Sequence, residues 1–185
     1  MVSIASLWLP ILLSAVAVFI ASSVIHMFLP YHKSDYKRLP AEDGVMDALR
    51  PFDLAPGDYM FPLADAGDMK NPAFVEKWSK GPAGSMTILP RGPWAMGPTL
   101  ALWFLYCVAI GITAAYIAGR ALPVGAHYRA VFRFAGATAF YGYALALWQN
   151  TIWYKRNWMT TLKSTFDGLV YALLTAGFFG WLWPR

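Results

Sequence analysis

Residues 98–119 read PTLALWFLYCVAIGITAAYIAG, and no charged side chain occurs between Arg91 and Arg120. A bilayer core about 30 Å thick takes roughly 20 helical residues to cross, so this stretch is long enough to span a membrane. Unpaired backbone groups are too costly in lipid for any open conformation, so the crossing segment is expected to be an α-helix. The stretch therefore predicts a helical membrane protein.

The composition of the whole chain supports the same class. Of its 185 residues, 58% are hydrophobic, 17% are aromatic and only 14% are charged, whereas about a quarter of the residues are charged in a typical soluble domain. The formal net charge is +5, but the basic residues flank apolar stretches. We therefore expect the lipid bilayer, with its anionic head groups, to be the partner of these charges and expect no nucleic acid.

Three further stretches are long and apolar enough to cross, namely residues 7–29, 130–154 and 159–183. With 98–119 they predict an all-α integral membrane protein with four transmembrane helices. The apolar run of the first stretch exceeds the 7–15 residues of a signal-peptide core and no basic residue precedes it, so it is expected to be retained. The fourth is the shortest in uncharged length, because residues 168–183 rise only about 24 Å.

The segment between the first two spans is a separate compositional unit. The predicted organisation is helix 1 in residues 1–29, an extramembrane loop in 30–97 and spans two to four in 98–185. Nine of the thirteen prolines lie in the loop, and this spacing predicts no paired sheet there. Two short interfacial helices are expected, at residues 41–50 and 71–80, the second with Asn71 as N-cap and Pro72 at its first position.

Basic residues near the predicted span ends favour one orientation. The side that holds the long loop carries more lysine and arginine than the opposite side. The residues on the loop side are Lys33, Lys37, Arg38, Arg91, Lys155 and Arg156, against Arg120, Arg129 and Arg185 opposite. The positive-inside rule then predicts a cytoplasmic loop and periplasmic termini.

A group of metal-binding residue types lies where the first span meets the loop. It comprises His26, His32, Asp35 and Glu42, and His32 and Asp35 would share a face if their segment were helical. Imidazole and carboxylate ligands suit zinc, iron or manganese. The alternative is that these are hydrogen-bonded residues at the membrane boundary. A haem held by His26 and His127 is excluded in this topology because the two lie at opposite membrane faces.

A second polar group interrupts the third and fourth spans. Lys163 and Asp167 are four residues apart and can share a helix face, and Gln149 and Asn150 end the third span. Ionisable groups within a membrane indicate function by default, such as a proton relay or polar pocket. The competing interpretation, which we favour, is structural: Lys163 extends to the interface and Asp167 hydrogen-bonds to Gln149, Asn150 or the loop.

Small residues recur at four-residue spacing in two spans. This spacing lets helix backbones approach closely and predicts contact faces. The residues concerned are Gly111, Ala115 and Gly119 in the second span and Gly168, Ala172, Ala176 and Gly180 in the fourth.

Familiar catalytic signatures are missing from the sequence. It contains no GxxxxGK[ST], GxGxxG after a strand, HExxH, CxxC or GxSxG, which disfavours most common enzyme classes and leaves any cofactor unknown. Cys107 is the only cysteine, so no intrachain disulfide and no thiolate metal cluster can form.

Two segments carry a resemblance, HMFLPYHKSDYKRLP at the exit of the first span and FDGLVYALLTAGFFGWLWPR at the C-terminus. In these the chain resembles an uncharacterised group of small bacterial multi-pass membrane proteins. The resemblance implies a location in the bacterial inner membrane and assigns no activity, cofactor or site residue.

Packing signals without catalytic motifs favour a non-enzymatic protein, either an accessory or assembly subunit of a membrane complex or a small homo-oligomer. One alternative is a membrane enzyme or metal-binding protein that uses His26, His32, Asp35 and Glu42. Another is a transporter or channel protomer with a polar path near Asp167, Lys163 and Gln149. Because no pair of discontinuous helices is predicted, this second alternative would require an oligomer.

Overall fold

The computed structural model describes residues 1–93 and 95–185, and the chain is mostly helical with two short strands. Its contacts divide into two compact units. The bundle unit contains residues 1–36 and 95–185. The loop unit contains the described residues 37–93.

Five α-helices form the bundle unit. In chain order they are α1 (Trp8–Phe28), α4 (Met96–Ala121), α5 (Tyr128–Tyr143), α6 (Trp148–Tyr154) and α7 (Trp158–Trp181). Three helical stretches are long and apolar enough to cross a membrane: Ala5–Phe28, Met96–Ala121 and Tyr128–Tyr154. The chain is thus a membrane protein by the length and composition of its helices.

The stretch Tyr128–Tyr154 is bent rather than continuous. α5 ends at Tyr143, Ala144 departs from helical geometry (φ −124°, ψ −54°), and a 3₁₀ turn at Leu145–Leu147 leads into α6. The sequence suggested one helix here because no proline marks the break. Ala144 lies against α7, since a Cβ added at Gly168 would come within 2.8 Å of the Ala144 Cβ.

α7 packs against both α5 and α1 in the bundle unit. Its 24 residues rise about 36 Å. Lys163 and Asp167 lie in its first half, so its uninterrupted apolar run is shorter than those of the three spanning stretches. Its buried face includes Tyr171, Thr175 and Phe179.

Small residues lie where the helices approach closely. On α4, Gly111, Ala115 and Gly119 are buried; a Cβ at Gly111 would meet Ile11 at 3.2 Å, and the Gly119 carbonyl accepts from the Val2 N–H at 2.8 Å.

On α7 the small residues face α5. Gly168, Ala172 and Ala176 are buried and Gly180 is half-buried. A Cβ at Gly180 would lie 2.6 Å from the Tyr128 ring. These residues allow close contact because they carry almost no side chain.

The loop unit contains α2 (Glu42–Leu49), α3 (Pro72–Lys80) and an antiparallel pair of strands, β1 (Gly57–Phe61) and β2 (Gly84–Ile88). Both helices lie where the sequence predicts them, and the Asn71 side chain caps α3 by accepting from the Ala73 N–H at 3.0 Å. The prediction that proline spacing leaves no paired sheet is wrong. Each strand fits between prolines, so no proline interrupts the ladder.

Candidate functional site

A turn at the end of the first span positions the polar residues of the bundle unit. α1 ends at Phe28, Leu29 is extended (φ −87°, ψ 131°), and a 3₁₀ turn follows at Pro30–Ser34. The extended backbone is expected, because proline disfavours helical geometry in the residue before it. The turn brings Tyr31, His32 and Asp35 to the first half of α7. We call this group, with Ser34, Lys163 and Asp167, the polar cluster.

His32 lies between two carboxylates. Its Nδ1 is 2.6 Å from Asp35 Oδ2 and its Nε2 is 2.8 Å from Asp167 Oδ2, and its side chain is only 12% exposed. Both contacts are hydrogen bonds when both ring nitrogens carry protons, or when one carboxyl group carries the shared proton. His32 therefore joins the turn to α7 through charge-assisted hydrogen bonds.

Asp167 is the most deeply buried charged residue in the cluster, with 3% of its surface exposed. Its Oδ1 accepts a hydrogen bond from the Tyr31 hydroxyl, and its Oδ2 faces His32. A buried carboxylate is costly unless hydrogen bonds and opposite charge compensate it. Tyr31 and His32 supply that compensation, so Asp167 depends on the turn after the first span.

Lys163 binds the same turn at a second point. Its Nζ donates to Asp35 Oδ1 at 2.8 Å, to Ser34 Oγ at 2.8 Å and to the Tyr31 carbonyl. Lys163 and Asp167 are one helical turn apart, as the sequence predicts, yet Lys163 forms its ion pair with Asp35. Lys163 and Asp167 do not pair with each other, because the turn offers Asp35 to Lys163 and His32 to Asp167.

Asp35 and Tyr31, at the turn after the first span, have displaced pKa values. Burial alone would raise the pKa of the Asp35 carboxyl, but hydrogen bonds from Lys163 and His32 outweigh it and lower the pKa below its usual value. Burial, together with the hydrogen bond to Asp167 and its charge, raises the pKa of the Tyr31 hydroxyl. Asp35 therefore remains an anion and Tyr31 a neutral donor at physiological pH.

His26 belongs to the site without joining its ion pairs. Its Nδ1 lies 3.0 Å from the Ser22 carbonyl one turn earlier on α1, and its ring stacks on His32 with centroids 4.5 Å apart and planes 10° apart. Potential metal-ligand atoms of His26, His32 and Asp167 all lie within 4.8 Å of one another. His26 is also exposed, so this side of the cluster is open.

The other sequence-predicted site residues are not among these three potential ligands. Asp35 contacts His32 Nδ1 rather than joining the three potential ligands. Glu42 belongs to the loop unit, where its carboxylate is 3.8 Å from Arg38 Nε. Gln149 is exposed, and the Asn150 carbonyl accepts from the Arg156 N–H at 3.3 Å. Asp167 thus takes its partners from the turn, one of the three locations that the sequence suggested.

Two cluster members were not singled out from the sequence, namely Tyr31 and Ser34. Tyr31 sits between Pro30 and His32, where it gives no spacing signal of its own. Its position directly after a proline that ends a span is the one clue, because that position fixes the start of a turn. Ser34 contributes only a hydroxyl, and serine is too common at helix ends to be diagnostic.

A second polar contact in the bundle unit joins the first two spanning helices. The Trp103 Nε1–H donates to Ser22 Oγ at 2.8 Å, and Ser22 is also the residue whose carbonyl faces His26. Among the residues that the structure describes, the Tyr171 hydroxyl is the buried side-chain polar atom without a hydrogen-bond partner. Tyr171 lies one turn after Asp167 and extends the polar character of α7 inward.

No protein-family model, curated protein or solved structure compared with this chain matches it. The polar cluster can hold a turn against a helix, stabilise buried charge and offer imidazole and carboxylate donors to a cation.

Proposed function

We propose that this chain is a four-span, non-enzymatic protein of the bacterial inner membrane that acts as an accessory or assembly subunit of a larger membrane complex. Three spanning stretches support insertion in the membrane, and α7 would supply the fourth crossing. Its length of 24 residues is sufficient. The partners of Lys163 and Asp167 in the 30–35 segment reduce the cost of holding these charges near the membrane surface.

The observation that carries the accessory role is the lack of a core in the loop unit. Among its described residues, Pro62 alone is buried. Large apolar side chains are instead exposed, including Phe52 at 71%, Leu63 at 70% and Met69 at 62%. A folded segment that leaves this much apolar surface uncovered is typical of one that is covered by something else.

The charge of the loop unit favours a protein as the covering partner. Acidic residues nearly balance basic ones in residues 37–93. Attachment of a segment to an anionic membrane surface is strengthened by clustered lysine and arginine, which this unit lacks. An apolar surface with mixed charge around it instead fits a protein interface, whose centre is apolar and whose rim is polar.

The orientation and location belong to the same proposal. Lysine and arginine near the span ends are more frequent on the side of residues 30–97, which supports a cytoplasmic loop unit and periplasmic termini. The resemblance to small bacterial multi-pass proteins supports the inner membrane. The partner would then contact the chain from the cytoplasmic side.

The proposal is tested by the mass of the complex released from the source membrane into native nanodiscs. An accessory subunit is expected in a particle that contains at least one different protein chain. A particle whose protein mass is a single 20.6 kDa chain, or a whole multiple of it, would contradict the proposal. A mass equal to a whole multiple of the chain would indicate a homo-oligomer instead of an accessory subunit.

Matched variants show whether the loop unit carries the interaction. The triple substitution Phe52→Ser, Leu63→Ser and Met69→Ser removes exposed apolar side chains, and is expected to release the chain from its partner while its helical circular dichroism persists. The control, Lys70→Gln with Lys77→Gln, changes exposed side chains of the same unit and is expected to leave the complex intact. Equal recovery of the partner with both variants would count against this interface.

A further inference from the structure

We infer that His26, His32 and Asp167 bind one divalent transition-metal ion of the zinc class. The inference concerns the bundle unit and is independent of the partner proposed for the loop unit. The potential ligand atoms of the three residues lie within 4.8 Å of one another. Two imidazoles and one carboxylate form a donor set that zinc and ferrous iron use, with further positions left for water.

The second nitrogen of each imidazole is already held by an oxygen. His26 Nδ1 lies 3.0 Å from the Ser22 carbonyl, and His32 Nδ1 lies 2.6 Å from Asp35 Oδ2. Metal-binding histidines commonly donate their other N–H to a backbone carbonyl or a carboxylate, which fixes the tautomer and aims the free nitrogen. Both arrangements occur here, and both leave Nε2 as the free nitrogen of the ring. Because the two rings stack with planes 10° apart, His26 must rotate before both nitrogens can face one ion.

A further contact fixes the carboxylate that supports His32. Lys163 Nζ donates to Asp35 Oδ1 at 2.8 Å, on the oxygen that His32 does not use. Tyr31 donates to Asp167 Oδ1 and so leaves Oδ2 facing His32. Each ligand is thus oriented by a neighbour, as expected of a site rather than a chance approach of side chains.

A bound cation is one way to compensate the buried charge of Asp167. Lys163 pairs with Asp35, so the negative charge that still needs a positive partner is that of Asp167, a residue only 3% exposed. Either a proton shared with His32 or a divalent cation can compensate it. Metal binding would replace the proton between His32 Nε2 and Asp167 Oδ2, which stand 2.8 Å apart.

The fit requires small side-chain movements. Tetrahedral zinc with bonds of about 2.0–2.2 Å holds its ligand atoms roughly 3.3 Å apart. The more distant ligand atoms must therefore approach by up to about 1.5 Å, whereas His32 Nε2 and Asp167 Oδ2, 2.8 Å apart, must separate by about 0.5 Å to admit the ion. His26 can supply this approach by a side-chain rotation because it is exposed at the last turn of α1. The same exposure provides a path for the ion.

His26 distinguishes a metal site from a purely structural cluster. Its one side-chain hydrogen bond among the described residues is to the carbonyl of its own helix. A structural cluster that joins the turn to α7 needs Tyr31, His32 and Asp35 and uses His26 only as a ring stacked on His32. A metal site requires it.

The test is a calorimetric titration of zinc into the full-length protein in mild detergent. Bound metal is first removed with EDTA, and the EDTA is then removed. Visible absorption of added Co²⁺ reports imidazole and carboxylate ligation independently. Wild-type protein is expected to bind one Zn²⁺ per chain. Loss of a residue that hydrogen-bonds to a metal ligand typically weakens metal affinity by about 10–100-fold. Asp35→Asn is therefore expected to weaken zinc binding within that range, and His26→Ala, which removes a ligand, by more.

His127→Ala is the matched control, because His127 caps α5 and is not among the potential ligands. It is expected to leave zinc affinity unchanged. If His26→Ala lowers the folded yield, His26→Gln retains a polar side chain of similar size and is expected to show the same loss of affinity. Failure of wild-type protein to bind zinc, or equal affinities for the His26 and His127 variants, would overturn the inference.

Discussion

Gly168→Ala tests the close contact between α7 and the bend after α5. An added Cβ would lie 2.8 Å from the Ala144 Cβ and 3.2 Å from the backbone carbonyl of Tyr143. The nearest atoms include backbone, which cannot rotate away as the end of a side chain can. The helices must separate to admit one methyl group.

The magnitude follows from two opposing effects. Overpacking a tight contact typically costs about 1–3 kcal/mol, whereas replacing glycine by alanine inside a helix stabilises it by about 1 kcal/mol. We therefore expect Gly168→Ala to lie between neutral and about 2 kcal/mol destabilising. Gly177→Ala is the matched control on the same helix, because a Cβ there meets no atom within 4 Å.

The assay is reversible unfolding in mixed detergent micelles, with the free energy of unfolding compared between the two variants. Gly177→Ala is expected to be as stable as wild type or more stable, and Gly168→Ala to be less stable than Gly177→Ala by about 1–3 kcal/mol. Equal stability of the two variants would refute the close contact at Ala144.

Three further substitutions are expected to have measurable effects. Asp167→Leu leaves buried donors unpaired and is expected to lower the free energy of unfolding by about 3–5 kcal/mol. The control Phe166→Leu, at a side chain 61% exposed, should change the free energy of unfolding by less than about 0.5 kcal/mol. Equal effects of the two substitutions would contradict the burial of Asp167. Ser22→Ala removes the acceptor of Trp103 Nε1–H and is expected to lower the free energy of unfolding by about 1–3 kcal/mol. A shift in tryptophan fluorescence is the second readout. An unchanged spectrum and unchanged stability would contradict the contact between Ser22 and Trp103. Asn71→Ala removes the cap of α3 and should cost about 1 kcal/mol, measured as faster amide exchange in that helix; unchanged exchange would contradict the cap.

Elements encoded by local sequence were predictable from the chain alone. The three spanning stretches follow from apolar length, because any charge within them would be costly in lipid. α3 follows from Asn71 and Pro72 at its start, since these residues satisfy or remove the free N–H groups there. The strands β1 and β2 did not follow, because their pairing joins segments that are more than twenty residues apart.

The sequence identified His32, Asp35, Lys163 and Asp167 as members of the polar cluster, but not the contacts that join the turn to α7. His32 and Asp35 were expected to share a face, and they do so in a 3₁₀ turn. The contact between His32 and Asp167 joins residues 135 positions apart, and no local spacing encodes it. The pairing of Lys163 with Asp35 was unforeseen for the same reason, because helix spacing pointed only to its neighbour on α7.

The attachment of residues 30–35 to α7 through Asp167 is tested most directly by a double-mutant cycle between His32 and Asp167. The free energy of unfolding is measured in the presence of EDTA for His32→Leu, for Asp167→Leu and for the double variant. Each single change removes one partner of the buried polar group that remains, whereas the double change removes both groups. The structure predicts that the double variant is more stable than the sum of the single effects implies, by about 1–3 kcal/mol. Additive effects, within about 0.5 kcal/mol, would contradict the contact between the turn and the helix.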